Sequence, residues 1–176
     1  MLSIADSHIY ISGELLVDNL NSFSSSLRTT KAALCAESAL NSTKKQPIFL
    51  HLSSYGGDLF AGYGMADLIE SLDYPVIAVA EGVVASAASL VFIACKKRLV
   101  LPHSQFMVHE FNTMYFGTHS DFLNEINAQK TVMKQFIKFY VKRTNLTKNE
   151  LVKRLKKDWW FTAKQAIKWG FADDYF

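Results

Sequence analysis

Cysteine is scarce in this chain: 176 residues contain only Cys35 and Cys95. They stand far apart in apolar, helix-like surroundings. That excludes a disulfide framework or a zinc cluster and reads as two reduced core thiols. Long apolar runs are also missing. The longest, Val83 to Cys95, is rich in Ala and Ser and falls short of the roughly 20 residues a spanning helix needs. It reads as a buried core helix, and no membrane association is expected. The first residues, Met1 to Asp6, include an acid and no basic lead-in, which excludes a secretory signal and leaves the cytoplasm as the default compartment. Neither charge sign dominates, the net charge being +3. Lys and Arg gather between Lys142 and Lys157, but no aromatic-basic module accompanies them. They read as one solvated helix face, and nucleic-acid binding is not expected. With no repeats, low-complexity segments or interdomain linker, residues 1–176 read as a single domain.

What the chain does have is core material and alternating periodicity. Apolar residues make up 49% and charged residues 20%, the balance of a soluble globular protein. His8 to Ser12 alternates and stops at Gly13, a first strand with only Met1 to Ser7 ahead of it. Val17, Leu20, Phe23 and Leu27 follow at helical spacing. The polar stretch Asn41 to Gln46 with Pro47 reads as a loop, and Ile48 to Leu52 as a second strand. Leu59, Tyr63, Ala66 and Ile69 mark a helix, and Pro75 opens a strand from Val76 to Ala80. Arg98 to Leu101 and Gln105 to His109 are further short strands. From Ser120 a long helix carries Leu123, Ile126, Met133, Phe136, Ile137 and Tyr140 on one stripe. Thr147 with Glu150, and Thr162 with Gln165, form capping-box patterns. Gly170 suits a helix stop, and Phe171 to Tyr175 a last strand. Alternating strands and helices make this an α/β chain with a largely parallel sheet.

Several residues suit covalent acyl transfer, which needs a nucleophile, a base, an orienter for the base and oxyanion donors. Ser86 lies where an apolar strand gives way to an apolar helix, among the small residues Ala85, Ala87 and Ala88. There a hydroxyl can stand clear of the backbone at the positive end of a helix dipole. Serine is also a common helix N-cap. Its rival, Ser89, lies a turn into the helix, where a hydroxyl tends to bond back to a carbonyl. Among five histidines, His109 ends an apolar strand and has the rigid mount of a base, or of a satisfied core histidine. His103 and His119 read as surface residues. Asp158 precedes Trp159-Trp160-Phe161 and is either a loop acid capping backbone or a carboxylate held dry beside imidazole. Gly56-Gly57 exposes backbone N–H groups, or is a plain turn.

Taken together, Ser54-Tyr-Gly-Gly57, the block Gly82 to Ser89, Leu101-Pro-His-Ser-Gln-Phe-Met-Val-His109, and Asp158 running through Phe161-Thr-Ala163 to Gly170-Phe-Ala-Asp173 resemble the Clp protease proteolytic subunit. The likeness covers about His8 to Asp173. It implies Ser86 as nucleophile, His109 as general base and acid, Asp158 as orienter, and the backbone N–H groups of Gly57 and Ala87 as oxyanion donors, with no metal or organic cofactor. It also implies a crotonase-like, Clp-type superhelical α/β fold: a head domain and a protruding strand-helix handle at roughly 111–140. Two stacked heptameric rings would enclose a chamber where unfolded proteins or short peptides are hydrolysed.

Some positions depart from the family. Tyr55 replaces proline before Gly-Gly, Val83 stands for a frequent glutamine, and Glu110-Phe111 replaces Gln-Pro. Lys156-Lys157 stand where many relatives carry an acidic-basic pair linking the rings. A Clp-type AAA+ unfoldase is the partner the family implies, but with the first strand expected at His8, the segment that forms the axial gate and helps engage it is expected to be missing. A peptidase working without an ATPase, such as a phage-type maturation protease or a signal-peptide-peptidase relative, is the alternative. A non-catalytic ring subunit is the other.

Overall fold

The structure is a computed structural model describing residues 2–5, 7–41 and 46–176, with side chains from Ser7 onward. The loop expected around 41–47 falls largely on residues 42–45, outside the described residues. The core strands are β2 (His8–Ser12), β3 (Ile48–Ser54) and β4 (Val76–Ala85). Ile48, Leu50 and Leu52 on β3, and Ala78, Val79 and Ala80 on β4, are completely buried. Near-continuous apolar runs of this kind belong to parallel strands covered on both faces. Completing an eight-stranded sheet are β1 (Leu2–Ala5), β5 (Lys97–Val100), β6 (Gln105–Val108), β7 (Trp159–Thr162) and β8 (Asp174–Tyr175). The order is β1-β2-β3-β4-β5-β8, with β6 and β7 leaving this path from β4. Only the β1–β2 and β6–β7 pairs are antiparallel, so the sheet is largely parallel, as the alternation implies.

The departure at β4 positions the site. Its first half, Ile77 to Ala80, pairs with β5, and its second half, Val83 to Ala85, pairs with β6. Between them lies Gly82 at φ +72°, a left-handed conformation that costs a side-chain-bearing residue energy. The β3 register also shifts there, between Leu52 and Ser54. The strand therefore runs on to Ala85, five residues past its expected end at Ala80. Residues 81–85 look non-strand in sequence because Glu81-Gly82 interrupts the apolar run.

Helix α1 (Asn19–Asn41) presents Phe23, Leu27 and Leu34 to the core, whereas Val17 precedes it and is exposed. α2 (Leu59–Ser71) is capped by Asp58, whose carboxylate accepts from the Ala61 N–H at 2.8 Å. Every residue of α3 (Ala87–Ala94) is buried, as expected of the apolar run. α4 (His119–Arg143) starts one residue early because Thr118 and Asp121 form a capping box. The expected boxes open α5 (Lys148–Leu155) and α6 (Ala163–Lys168).

The stripe on α4 divides. Phe136 and Tyr140 are buried against the core, Ile126, Met133 and Ile137 are half-buried, and Leu123 is 49% exposed. Residues 109–118, ahead of the helix, form neither strand nor helix.

Three further expectations are corrected. The chain does not wait until His8 for its first strand: Leu2–Ala5 pairs antiparallel with His8–Ile11, a hairpin too short to show alternation. The last strand contains only Asp174–Tyr175, because Phe171 and Ala172 turn inward to the core instead. Of the two thiols, Cys95 is buried but Cys35 is only half-buried.

Aromatic packing ties β6 to β7. Phe106 stacks on Phe161 with centroids 5.4 Å apart and meets Phe92 edge-on at 5.3 Å. The Arg154 guanidinium lies 4.5 Å over both the Trp159 and Trp169 rings, docking α5 on the same assembly. Phe106 is fully buried, so Phe106→Ala is expected to cost about 3–5 kcal/mol, read as a lower urea midpoint with an unchanged m-value. Loss of under about 1 kcal/mol would contradict this packing role.

Candidate active site

Ser86 follows directly on β4 and heads α3. Its N–H donates to the Met107 carbonyl at 2.8 Å, carrying the β4–β6 pairing one step past Ala85. Two residues after Met107 on the same chain comes His109, and the Ser86 hydroxyl meets its Nε2 at 2.8 Å. β7 runs antiparallel to β6, with Val108 opposite Trp159. One more step of that register sets His109 opposite Asp158, where Nδ1 and the carboxylate Oδ1 are 3.4 Å apart. With its proton on Nδ1, facing the acid, the neutral ring leaves Nε2 free to accept from the serine. The three residues singled out in the sequence thus converge, although 72 positions separate Ser86 from Asp158.

The two contacts differ in quality. The serine–histidine distance is that of a good hydrogen bond, whereas 3.4 Å is beyond one. The Asp158 side chain is 64% exposed and that of His109 21%. Of the two readings open for Asp158, the dry carboxylate is therefore not what the fold builds: the acid sits beside the imidazole, but in water. Asp58, a second acid on the cavity lining, is committed to capping α2.

Ser86 is the only described non-glycine residue with positive φ (φ 51°, ψ −127°). A non-glycine residue held in such a sparsely populated region carries about 1–3 kcal/mol of strain, typical of functional turns. Gly56 lies against this turn. A Cβ there would come within 2.7 Å of the Ala85 carbonyl oxygen, 2.8 Å of the Ser86 Cβ and 2.9 Å of the Ala87 nitrogen. The Gly-Gly turn is thus more than a plain turn, because it packs on the serine. The Leu15 N–H donates to Gly56 O, and Asp58 N–H donates to Leu15 O, both at 2.8 Å. That leaves Gly57 N–H pointing away from the bridge. Ala87 N–H belongs to the first helical turn, where amides lack intrahelical partners. Neither amide has a hydrogen bond among the described residues.

Gly57, Ser86, Ala87 and His109 open onto a cavity of 570 Å³. Its far wall comes from Phe111 and from Glu125, Ala128, Gln129, Val132 and Phe136 on α4. These wall residues were not legible in sequence beyond the helical stripe, since their spacing says which face they share and not what that face meets. Ser89 bonds back to a carbonyl as expected: its hydroxyl donates to Ser86 O at 2.6 Å. His103 and His119 are exposed. His51 is buried, meeting Glu81 at 2.6 Å and His8 at 2.8 Å, a cluster that periodicity does not reveal and that does not line the cavity. Cys95 is no rival nucleophile, because burial pushes its thiol up to about 12 and the reactive species is the thiolate. No group of three or more potential metal ligands occurs among the described residues, and no described helix is long and apolar enough to cross a membrane.

A model of the Clp protease family matches residues 8–176, and the chain belongs to that family. It is 32% identical over 131 residues to the ATP-dependent Clp protease proteolytic subunit 2 of Borreliella burgdorferi, covering 72% of this chain and 65% of that protein. It is 26% identical over 172 residues to a proteolytic subunit 1 of Leifsonia xyli, covering 97% and 83%. The chain thus spans just under two-thirds of the Borreliella relative. The fold matches a ClpP1 point mutant from Listeria monocytogenes with a TM-score of 0.83 at 20% identity, over 97% of this chain and 91% of that one. The crotonase-like α/β fold is therefore the one the sequence resemblance implies.

The geometry sets an expected ranking of variants. Gly56→Ala should abolish fluorophosphonate labelling of Ser86, because the added methyl meets the Ala85 oxygen, the Ser86 Cβ and the Ala87 nitrogen; wild-type labelling by that variant would contradict the close approach. If the three residues act as one catalytic unit, Asp158→Asn should cost less in kcat than His109→Ala, since an exposed acid at 3.4 Å orients weakly and members of such a unit contribute unequally. Equal losses in steady-state kinetics would contradict a weak aspartate contact.

Proposed function

We propose that this protein is a serine-type endopeptidase subunit that hydrolyses peptide bonds of unfolded proteins or short peptides. The observation that carries the proposal is the 2.8 Å contact between the Ser86 hydroxyl and His109 Nε2 beside two unoccupied amides, Gly57 and Ala87, at one cavity. The Ser86 oxygen attacks the scissile carbonyl carbon while its proton passes to Nε2. The carbonyl oxygen, now anionic, takes hydrogen bonds from the two amides, which are the oxyanion donors. Such preorganised donors supply a large share of the rate. Collapse expels the amine, which leaves with the proton held on His109. Water then attacks the acyl-serine ester, giving its proton to His109, and Ser86 recovers a proton as the acid product departs. Asp158 keeps the Nδ1 proton in place and favours the transient imidazolium.

Membership of the Clp family and the apolar surface of α4 support assembly into rings. Phe122 and Leu123 on α4 are half exposed, and Met114 and Phe116 just before it are more than 80% exposed. Grouped exposed apolar side chains of this size mark interfaces. The proposed assembly is two stacked heptameric rings in the cytoplasm, with a Clp-type AAA+ unfoldase as partner. Lys156 and Lys157 are exposed beside Asp158, so at a ring-to-ring contact like charges would meet and added salt would strengthen the double ring.

Ser86→Ala is expected to lose peptide hydrolysis by several powers of ten and all fluorophosphonate labelling while keeping its particle mass. Wild-type turnover by this variant, or labelling elsewhere, would overturn the assignment. Light scattering should give an oligomer at both low and high salt; a monomer under both would refute the ring. Casein degradation with and without unfoldase and ATP separates an unfoldase-dependent protease from an ATPase-independent one.

A further inference from the structure

Behind Ser86, buried hydroxyls link the nucleophile turn to helix α4. The Ser89 hydroxyl donates to the Ser86 carbonyl at 2.6 Å, and the Ser89 oxygen is 2.5 Å from the Tyr140 hydroxyl. Both side chains are completely buried. Ser89 has one hydroxyl proton, already committed to the carbonyl, so Tyr140 must donate to Ser89. The chain runs in one direction, from Tyr140 O–H to Ser89 O–H to Ser86 C=O, and each bond polarises the next. Burial raises the Tyr140 phenol above its ordinary range, which keeps it a donor.

The Ser86 carbonyl shares a peptide plane with the Ala87 N–H. The peptide is trans, so the two groups point in opposite directions. Ser86 C=O also accepts from Ser89 N–H at 2.9 Å. Fixing the carbonyl from behind therefore aims the Ala87 N–H forward, into the cavity that Ser86 and Ala87 line. The plane needs fixing, because it sits between a residue at strained φ 51° and the first turn of a helix whose amides are unpaired. We infer that Tyr140 and Ser89 are positioning residues that hold the Ala87 amide on the oxyanion, tying the reactive backbone to α4. The inference rests on the peptidase reading above and extends it to residues that touch neither substrate nor the histidine.

An interaction aimed at the oxyanion acts on the transition state and not on ground-state binding. Removing an oxyanion donor outright costs about 10²–10³ in kcat, so loosening one should cost about tenfold. Tyr140→Phe and Ser89→Ala each delete one buried oxygen and keep the packing. Kinetics on a short fluorogenic peptide should show kcat about tenfold lower for each, with KM within about twofold. Affinity for a peptide aldehyde, whose adduct presents an oxyanion, should fall in step with kcat, while particle mass is retained; the melting temperature should fall for Ser89→Ala, which leaves the buried Tyr140 O–H without an acceptor. The double variant should be no slower than the slower single one, because both residues belong to one chain of bonds. Wild-type kcat in both single variants, or a loss seen in KM with aldehyde affinity intact, would overturn the inference. If Tyr140→Phe fails to fold, Ser89→Ala alone decides. Ser86→Ala distinguishes the two levels. If it is inactive while the hydroxyl variants run at the wild-type rate, only the positioning role fails. If it retains full activity, the peptidase reading falls and this inference with it.

Discussion

Strand β6 is hydrogen-bonded along both edges, parallel to the end of β4 and antiparallel to β7, and the site depends on that shared register. The parallel edge brings Ser86 level with the residues just before His109, and the antiparallel edge brings Asp158 level with His109 itself. A slip of one residue on either edge would turn the imidazole to the other face of the sheet. Buried Phe106, stacked on Phe161, penalises such a slip by moving a large ring out of the core site it fills. The polar site is thus held in register by apolar packing one layer away.

The second constraint is strain. A serine with positive φ is costly, and the neighbourhood offsets that cost with hydrogen bonds and small residues. Met107 holds the Ser86 N–H, Ser89 holds its carbonyl twice, and Gly56 leaves room where any side chain would collide. In return the hydroxyl is lifted out of the backbone toward His109, and the first amides of α3 are left to face the cavity. Strain and anchoring belong to one design, since without the anchors the turn would relax to an ordinary helix start.

The site is also divided between rigid and exposed parts. Ser86, Ala87 and Gly57 sit on a floor formed by α3, β4 and the turn before α2, with Ala87 buried, Ser86 half-buried and Gly57 open to the cavity. The opposite wall belongs to α4, whose inner end is anchored by Phe136 and Tyr140 while its outer end carries exposed Phe122 and Leu123. A helix anchored at one end and apolar at the other links the shape of the cavity to whatever covers the outer end. Asp158 lies on the wet side, where solvent screening weakens its hold on the imidazole.

Much of this was legible in the sequence. Strand and helix identities followed from periods of 2 and 3.6 residues, and the capping boxes at Thr147 and Thr162 appeared where their spacing put them. The reactive residues were legible as types: a serine among alanines at a strand-to-helix junction, a histidine ending a strand, paired glycines. Local signals failed where the chain breaks its own pattern. β4 runs five residues past its apolar run because β6 supplies new partners there, and the Leu2–Ala5 hairpin is too short to alternate visibly. The sequence alone determined the elements and the candidate chemistry, because propensity, capping and amphipathicity act over a few residues. The tertiary structure alone decided that Asp158 stands in solvent at 3.4 Å, that Gly56 presses on the nucleophile, and that Tyr140 reaches Ser89 across 51 positions. These depend on strand register and helix packing, which are set by the burial of the whole core and by no single segment.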